Sequence, residues 1–274
     1  MIKGQELLAT LSVKYHGNWE KIYKAILSRE KLDNSEIATA VDSIKKVCNF
    51  STILDEDELM PKEIRMVMTK PTFVYYYKGN KDLLNRDIKR VHLTQSKHPT
   101  EKCKKIAVKT VKTLCDEGVV TVIKLGDGIA EDIIATTEGK NTIVVVPNGF
   151  EGEETRFKGL MKMVEDNGGL LLTENPPYVG PDSESKYRQE RCDRIIENIS
   201  DLIVVTEATE ENIGAAANTV VQMAIVSGKP MLVFPSTKSR DKNNELQRLL
   251  GGVQTEDGER VIEGLKENEP YVCE

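Results

Sequence analysis

A change of hydrophobic period between residues 188 and 208 constrains the fold more than any other feature of the sequence. Ile195, Ile196 and Ile199 have the spacing of an amphipathic helix, and residues 202–205 form a continuous apolar run. This order is typical of a helix followed by a strand that is buried on both faces. Strands of that kind belong to parallel sheets, because the crossover helices of a parallel sheet cover both of its faces.

The same alternation repeats along most of the chain. Short apolar runs predict strands near residues 51–54, 72–77, 90–93, 119–123, 142–146, 170–173, 202–206 and 231–234. Helical spacing predicts helices near residues 101–117, 130–137, 154–166, 191–198 and 215–226. Gly118 and Gly228 stand where helices should end, which is the usual place of a C-terminal glycine. The sequence therefore predicts an α/β fold with a doubly wound, mostly parallel sheet.

Helical patterns without strands mark both ends of the chain. Residues 1–50 predict three short helices that form a small N-terminal helical domain, with Trp19 in register with its apolar positions. The sheet domain is expected over residues 51–240, and residues 241–274 are expected to pack on it as a helical extension. A chain of 274 residues is long enough for one large core and a small additional module.

Composition argues against several classes of protein. No apolar run approaches the ~20 residues of a membrane-spanning helix, and the N-terminus lacks the apolar core of a secretory signal. The five cysteines form no CxxC pair, which favours reduced thiols in a cytoplasmic protein. The three histidines have no metal-ligand spacing, so we predict no metal and no cofactor. No nucleophile–base arrangement is visible, although Glu174 and Glu207 both end predicted strands and leave a catalytic carboxylate pair open.

Charge is distributed unevenly along the chain. The whole sequence carries a formal charge of −6, yet residues 78–112 hold eleven Lys or Arg against three Asp or Glu, a net of +8. A local basic region attracts polyanions over about a Debye length, ~10 Å. Lys102, Lys105, Lys109 and Lys112 also have the spacing of one solvated helix face, which is the competing interpretation.

Polar segments follow the predicted strands, at the edge where open α/β sheets bind ligands. Ser96, Lys97 and Thr100 follow one strand and include the start of a helix, where N–H groups favour an anion. Lys124, Gly126 and Gly128 follow the next strand. Glycines there permit close backbone approach to a phosphate, but an empty tight turn is an equal alternative. The segment matches neither a GxGxxG dinucleotide fingerprint nor a Walker A loop.

The last part of the predicted site follows residues 188–208. Arg191 and Arg194 share one helix face near the predicted helix start, Glu207 follows the strand, and Gly214 lies in a turn of small residues. We therefore predict one phosphate-binding edge. Its residues are Ser96, Lys97, Thr100, Lys124, Gly126, Gly128, Arg191, Arg194, Glu207 and Gly214.

Several of these segments together resemble the DNA-processing protein DprA (Smf) family. The resemblance lies in Pro71-Thr-Phe-Val-Tyr-Tyr-Tyr-Lys78-Gly79-Asn80, Ser96-Lys97-His-Pro-Thr100, Gly169-Leu-Leu-Leu-Thr-Glu174-Asn-Pro-Pro177, Asp193-Arg194-Ile-Ile and Val204-Val-Thr-Glu207-Ala208. It covers about residues 50–265. It implies a Rossmann-like domain that binds single-stranded DNA at the strand ends. It also implies a homodimer that delivers DNA to a RecA-type recombinase.

The resemblance places individual residues and also shows departures. Ser96 and Lys97 occupy the family's Gly-Ser-Arg loop, Gly128 begins its Gly-Ile-Asp turn, and Arg194 ends its Arg-Asn-Arg. Lys97 replaces an arginine, and Cys192 stands at the first arginine of the last motif. The sequence thus predicts a single-stranded DNA-binding protein without covalent chemistry. A Rossmann-like binder or hydrolase of a nucleotide, or of a nucleotide-derived signal, is the alternative.

Overall fold

The computed structural model describes residues 3–55, 72–94, 98–126, 128–178, 185–207, 219–235 and 258–267. Its strands are β1 (Asn49–Thr52), β2 (Val74–Gly79), β3 (Arg90–Thr94), β4 (Val120–Lys124), β5 (Thr142–Val145), β6 (Leu170–Thr173), β7 (Leu202–Val205) and β8 (Met231–Val233). Its helices are α1 (Gly4–Lys14), α2 (Trp19–Leu27), α3 (Asn34–Val47), α4 (Glu101–Asp116), α5 (Ala130–Thr137), α6 (Gly149–Asp166), α7 (Ser185–Ile199), α8 (Thr219–Ser227) and α9 (Gly258–Glu267). A short 3-10 helix at Lys81–Leu84 precedes β3.

The strands form one sheet in the order β1-β2-β6-β5-β4-β3-β7-β8. All neighbours pair in parallel except β1 with β2 and β2 with β6, so β2 alone among these strands runs against the others. From β3 the chain proceeds outward through β4, β5 and β6, and then returns through α7 to β7 on the other side of β3. The predicted mostly parallel α/β fold is confirmed, with its topological switch point between β3 and β7.

Apolar side chains cover both faces of this sheet. One core cluster joins Leu93 of β3 to α4, α5 and α6, and the other joins Val122 of β4 to Ile195 of α7 and Ala224 of α8. Burial of both faces explains why the strands read as nearly continuous apolar runs in the sequence. The sheet is therefore doubly wound, as predicted.

The terminal helices pack against the same sheet. Leu8 of α1 and Ile44 of α3 lie in the core cluster that contains Tyr76 of β2. Val261 and Leu265 of α9 are buried in that cluster too. The predicted three N-terminal helices are present, while the domain boundaries at residues 50 and 240 stay a prediction. No helix in the described ranges is both long and apolar enough to cross a bilayer.

Two helices begin earlier than the apolar spacing predicts. α6 begins at Gly149 rather than 154, and α7 begins at Ser185 rather than 191. The first turns of α7 are polar, so apolar periodicity detects only its later part. As a consequence Arg191 lies in the second turn of α7, and the expectation that it stands near the helix start is wrong.

Candidate functional site

The switch point brings together two of the predicted site residues. The Glu207 carboxylate accepts hydrogen bonds from the Thr100 backbone N–H at 3.0 Å and from its hydroxyl at 2.8 Å. Thr100 is the N-cap of α4, and its Oγ1 accepts from the Cys103 N–H at 3.2 Å. Glu207 is only 1% exposed. A carboxylate of the chain itself therefore lies at the helix N-terminus where we expected a phosphate.

The lysine that ends β4 is held by an acidic residue of α7. The Lys124 Nζ lies 2.9 Å from the Asp193 Oδ1, and both side chains are largely buried. The two residues are far apart in the sequence, but α7 crosses the sheet beside β4 and brings them together. Lys124 thus contributes a buried and already neutralised positive charge to the carboxyl edge of the sheet.

Arg194 of α7 forms a second buried pair at the same edge. Its Nη2 donates to the carboxylate of Glu174, which directly follows β6 and also accepts from the Thr72 hydroxyl. The Nε of Arg194 is buried and makes no hydrogen bond to any part of the chain that the structure describes. A cleft beside this pair is lined by Gly17, Trp19, Ile22, Thr72, Phe73, Val74, Glu174 and Arg194.

Arg191 lies beneath the loop that joins α1 to α2. Its Nη1 donates to the His16 carbonyl oxygen at 3.2 Å, and the side chain is 7% exposed. Gly17 permits this contact, because its φ is +69° and an added Cβ would lie 2.8 Å from Arg191 Nη1. The N-terminal helices therefore cover a side chain that the sequence predicts to face a ligand.

The aromatic residues of α2 extend this cover. The Trp19 ring stacks on Tyr23 at 4.9 Å and on Phe73 at 5.3 Å between ring centroids. Trp19 is only partly buried. It therefore lies at the contact between α2 and the segment before β2, and not at the centre of a helical core. Aromatic stacking of this kind stabilises the position of the helices over the sheet edge.

Arg188 belongs to the same surface of α7 and is absent from the set of site residues that the sequence predicts. Its Nε donates to the Asn148 Oδ1 at 3.1 Å, and Asn148 in turn donates to the Glu153 carboxylate at 2.6 Å. Burial raises the pKa of Glu153 above its usual value. The three-residue spacing of Arg188, Arg191 and Arg194 is a signal that could have found it, but apolar periodicity starts the helix only at 191.

With this geometry established, comparison with known proteins identifies the family. The sequence matches the family model for DNA recombination-mediator protein A over residues 51–255, most of the chain. The chain belongs to this family. The resemblance to DprA inferred from the sequence motifs is thereby confirmed. No functionally curated protein matches the chain by sequence.

Solved structures show the same architecture for the family. The chain is similar to DNA processing protein A (DprA) from Streptococcus pneumoniae, with a TM-score of 0.67 and 19% identity over 95% of this chain and 93% of that one. It is also similar to DNA processing protein A from Helicobacter pylori, with a TM-score of 0.64 and 18% identity over 81% of this chain and 98% of that one. At these identities the similarity establishes the fold.

The family's glycine turn after β4 is only partly described. Gly126 has a φ of +86°, and an added Cβ would be 3.7 Å from Phe157, so its backbone angle rather than crowding requires glycine. Gly128 lies in the turn before α5. Ser96, Lys97 and Gly214 lie outside the described residues. That these five positions bind phosphate stays a prediction.

The described part of the carboxyl edge is close to electrically neutral. Three cations, Lys124, Arg191 and Arg194, lie in the same region as three carboxylates, those of Asp193, Glu174 and Glu207. Burial keeps the Cys192 thiol protonated by raising its pKa. Within the described ranges no three His, Cys, Asp or Glu side chains are grouped closely enough to hold a metal ion. An anion would therefore have to replace the carboxylates that already bind Lys124 and Arg194.

Proposed function

We propose that the protein binds single-stranded DNA and acts in DNA processing or recombination, without covalent chemistry. The observation that carries the proposal is the set of basic side chains from β4 and α7 at one sheet edge, in a member of the DNA recombination-mediator protein A family. The similar DNA processing protein A from Helicobacter pylori has a single-stranded DNA binding mode of its own. Arginine and lysine are the side chains that recognise phosphate without reading base sequence.

The internal ion pairs suggest how a strand would be bound. A phosphate that approaches Arg194 or Lys124 would replace the carboxylate of Glu174 or Asp193 as its partner. Charge-assisted hydrogen bonds to phosphate are among the stronger polar contacts, so the exchange can compensate for the lost internal pair. Ser96, Lys97 and the Gly126–Gly128 turn would add contacts from the neighbouring strands, and Gly214 would line the same edge. Thr100 would contact a phosphate by exchanging the Glu207 carboxylate for it. Arg191, covered by the loop between α1 and α2, would contribute its charge to this edge.

Partners follow from the family resemblance. We expect a homodimer that delivers its DNA to a RecA-type recombinase in the cytoplasm. Light scattering of the purified protein tests the dimer, and co-purification with a recombinase on single-stranded DNA tests the transfer. A monomer at micromolar concentration would contradict the first expectation.

Fluorescence anisotropy with labelled oligo-dT tests the main proposal. We expect affinity to fall steeply as salt rises, because each neutralised phosphate releases counterions. Lys124→Gln and Arg194→Gln should each weaken binding about tenfold, by loss of one charge-assisted contact. Lys45→Gln, at an exposed position of α3, is the matched control and should bind oligo-dT as tightly as the native chain does.

Two results would overturn the proposal. One is the absence of oligo-dT binding by the native chain at low salt. The other is thermal stabilisation by mononucleotides without affinity for oligonucleotides, which would support the nucleotide-binding alternative. If Lys124→Gln and Arg194→Gln both bound oligo-dT as tightly as the native chain, the protein would still be a DNA-binding protein, but the assigned site would be rejected.

A further inference from the structure

A row of four lysines runs along the outer face of α4. Lys102, Lys105, Lys109 and Lys112 are all exposed. Their spacing of three, four and three residues places them on one side of the helix, one above the other. We call these four side chains the lysine row.

The opposite side of α4 is committed to the core. Its buried residues include Cys103, Ala107, Val111 and Leu114, and the last three belong to the core cluster that covers one face of the sheet. Because the helix position is fixed by this burial, the lysine row projects away from the protein. The row ends at Lys112, and the exposed Asp116 follows one turn later.

The lysine row differs from the neighbouring lysine of the same helix. The Lys104 Nζ lies 3.2 Å from the Glu101 carboxylate, and this pair raises the pKa of Lys104. None of the four lysines of the row lies within 4.0 Å of a carboxylate in the portion of the chain that the structure describes. Their charges are therefore available to an external anion.

The lysine row begins beside the candidate site. The N-terminus of α4 lies at the carboxyl edge of the sheet, where Thr100 contacts Glu207. From Lys102 the row extends away from that edge for about 15 Å, the length of ten helical residues. A polyanion bound at the strand ends can thus extend along α4 and remain next to positively charged side chains over its whole path.

We propose that the lysine row is a second contact surface for nucleic acid, which holds the part of a single strand that extends beyond the carboxyl edge. This inference rests on the proposed function. Flexible ammonium groups act as point charges, so the row would contact phosphates and leave the bases unread. Large hydrophobic side chains are not exposed on the described face of α4, which favours nucleic acid over a membrane surface.

The test compares two charge-matched variants on short and long DNA. The first replaces the whole row with glutamine: Lys102→Gln, Lys105→Gln, Lys109→Gln and Lys112→Gln. The control removes four exposed lysines of the N-terminal helices and their loop: Lys24→Gln, Lys31→Gln, Lys45→Gln and Lys46→Gln. Both lose four positive charges, so a general effect of net charge appears equally in both.

We expect the row variant to bind a long oligo-dT of about 30 nucleotides at least tenfold more weakly, and one of about 6 nucleotides nearly as well as the native chain. The slope of log affinity against log salt should fall by up to about 3 units for the long oligonucleotide, since each single-strand phosphate contact contributes ~0.7. The control variant should keep the native slope. Circular dichroism checks that both variants are folded.

Each other outcome is decisive. Native affinity and salt slope in the row variant, with the native chain still binding DNA, would reject the lysine row and leave the proposed function intact. Equal weakening in both variants would reduce the effect to net charge and also reject it. Row-dependent binding to phosphatidylserine vesicles with unchanged DNA binding would assign the surface to membranes instead. Failure of the native chain to bind any oligo-dT would overturn both proposals.

Discussion

The two edges of the sheet hold buried cations in different ways. At the amino edge, the Arg90 Nε donates to the Ile199 carbonyl oxygen at 2.6 Å and its Nη1 to that of Asn85 at 2.9 Å. The Lys229 Nζ donates to the Ser200 carbonyl oxygen at 2.6 Å. Both cations thus bind backbone oxygens at and just beyond the carboxyl end of α7, where the helix dipole favours positive charge. The nearest carboxylates at that edge lie farther away, with Asp201 3.9 Å from the Arg90 Nε and Glu197 3.8 Å from the Lys229 Nζ.

At the carboxyl edge two of the cations instead have a side-chain carboxylate as their closest partner. Lys124 pairs with Asp193, and Arg194 pairs with Glu174. A backbone carbonyl at a helix end cannot leave its position without unwinding the helix, whereas a side-chain carboxylate can rotate. We therefore expect the cations near the carboxyl end of α7, Arg90 and Lys229, to be structural. We expect Lys124 and Arg194 at the opposite edge to be able to exchange partners, because their closest partner is a carboxylate rather than a backbone oxygen.

The largest effect that tests this comparison is expected for Arg90→Met. The substitution leaves several buried carbonyl oxygens without donors and should lower the free energy of unfolding by about 3 kcal/mol. Chemical denaturation measures the loss, and oligo-dT affinity of the folded variant should remain native. Arg86→Met, at an exposed position nearby, is the control and should change stability by less than about 0.5 kcal/mol. If Arg90→Met were as mild as this control, the cations of the amino edge would not be structural.

The sequence predicts the strands better than it predicts the site. Strands buried on both faces are nearly continuous apolar runs, so β6 has the predicted bounds 170–173 and α5 has the predicted bounds 130–137. Local spacing carries this information. The start of α7 escapes prediction because its first turns are polar and lack an apolar period.

Partnerships across the chain are not visible in local spacing. Thr72 reaches Glu174 across 102 positions, and Lys124 reaches Asp193 across 69. Motif residues could therefore be identified as cations at strand ends, but not as cations that are already neutralised. The contact between Arg191 and the His16 carbonyl oxygen could not be predicted for the same reason, because nothing near either residue in the sequence indicates it.

The buried His92 offers a test of whether the interior of the sheet, between the two edges, disfavours a charged side chain. It lies in β3, 3% exposed, with its Nδ1 2.8 Å from the Val122 carbonyl oxygen. Burial is the main cause that lowers the pKa of His92 to about 4; the hydrogen bond to the Val122 carbonyl opposes it in part, and the charge of Lys124 adds to it. In the unfolded chain the pKa is about 6.5, so below that pH the unfolded state binds more protons.

Stability should therefore decrease as pH falls from about 6.5 towards 4, by at most about 3 kcal/mol from this residue. Urea denaturation at a series of pH values measures the dependence. His92→Leu should flatten it over this interval, because leucine does not titrate, while the contribution of acidic residues remains. An unchanged pH dependence in His92→Leu would show that the folded protein accommodates the protonated imidazole.

The smallest expected effect separates the two edges most directly. Glu174→Gln keeps an oxygen that can accept from Arg194 and Thr72 but removes the negative charge that opposes an incoming phosphate. We expect oligo-dT affinity to rise about fivefold, because Arg194 then exchanges its partner at lower cost. Glu197→Gln removes an equally buried carboxylate near Lys229 at the amino edge, where the Ser227 hydroxyl donates to it at 2.8 Å, and should leave affinity unchanged. Equal increases in both variants would mean that overall charge sets the affinity, whereas a decrease in Glu174→Gln alone would mean that Glu174 orients Arg194 for the phosphate instead of competing with it.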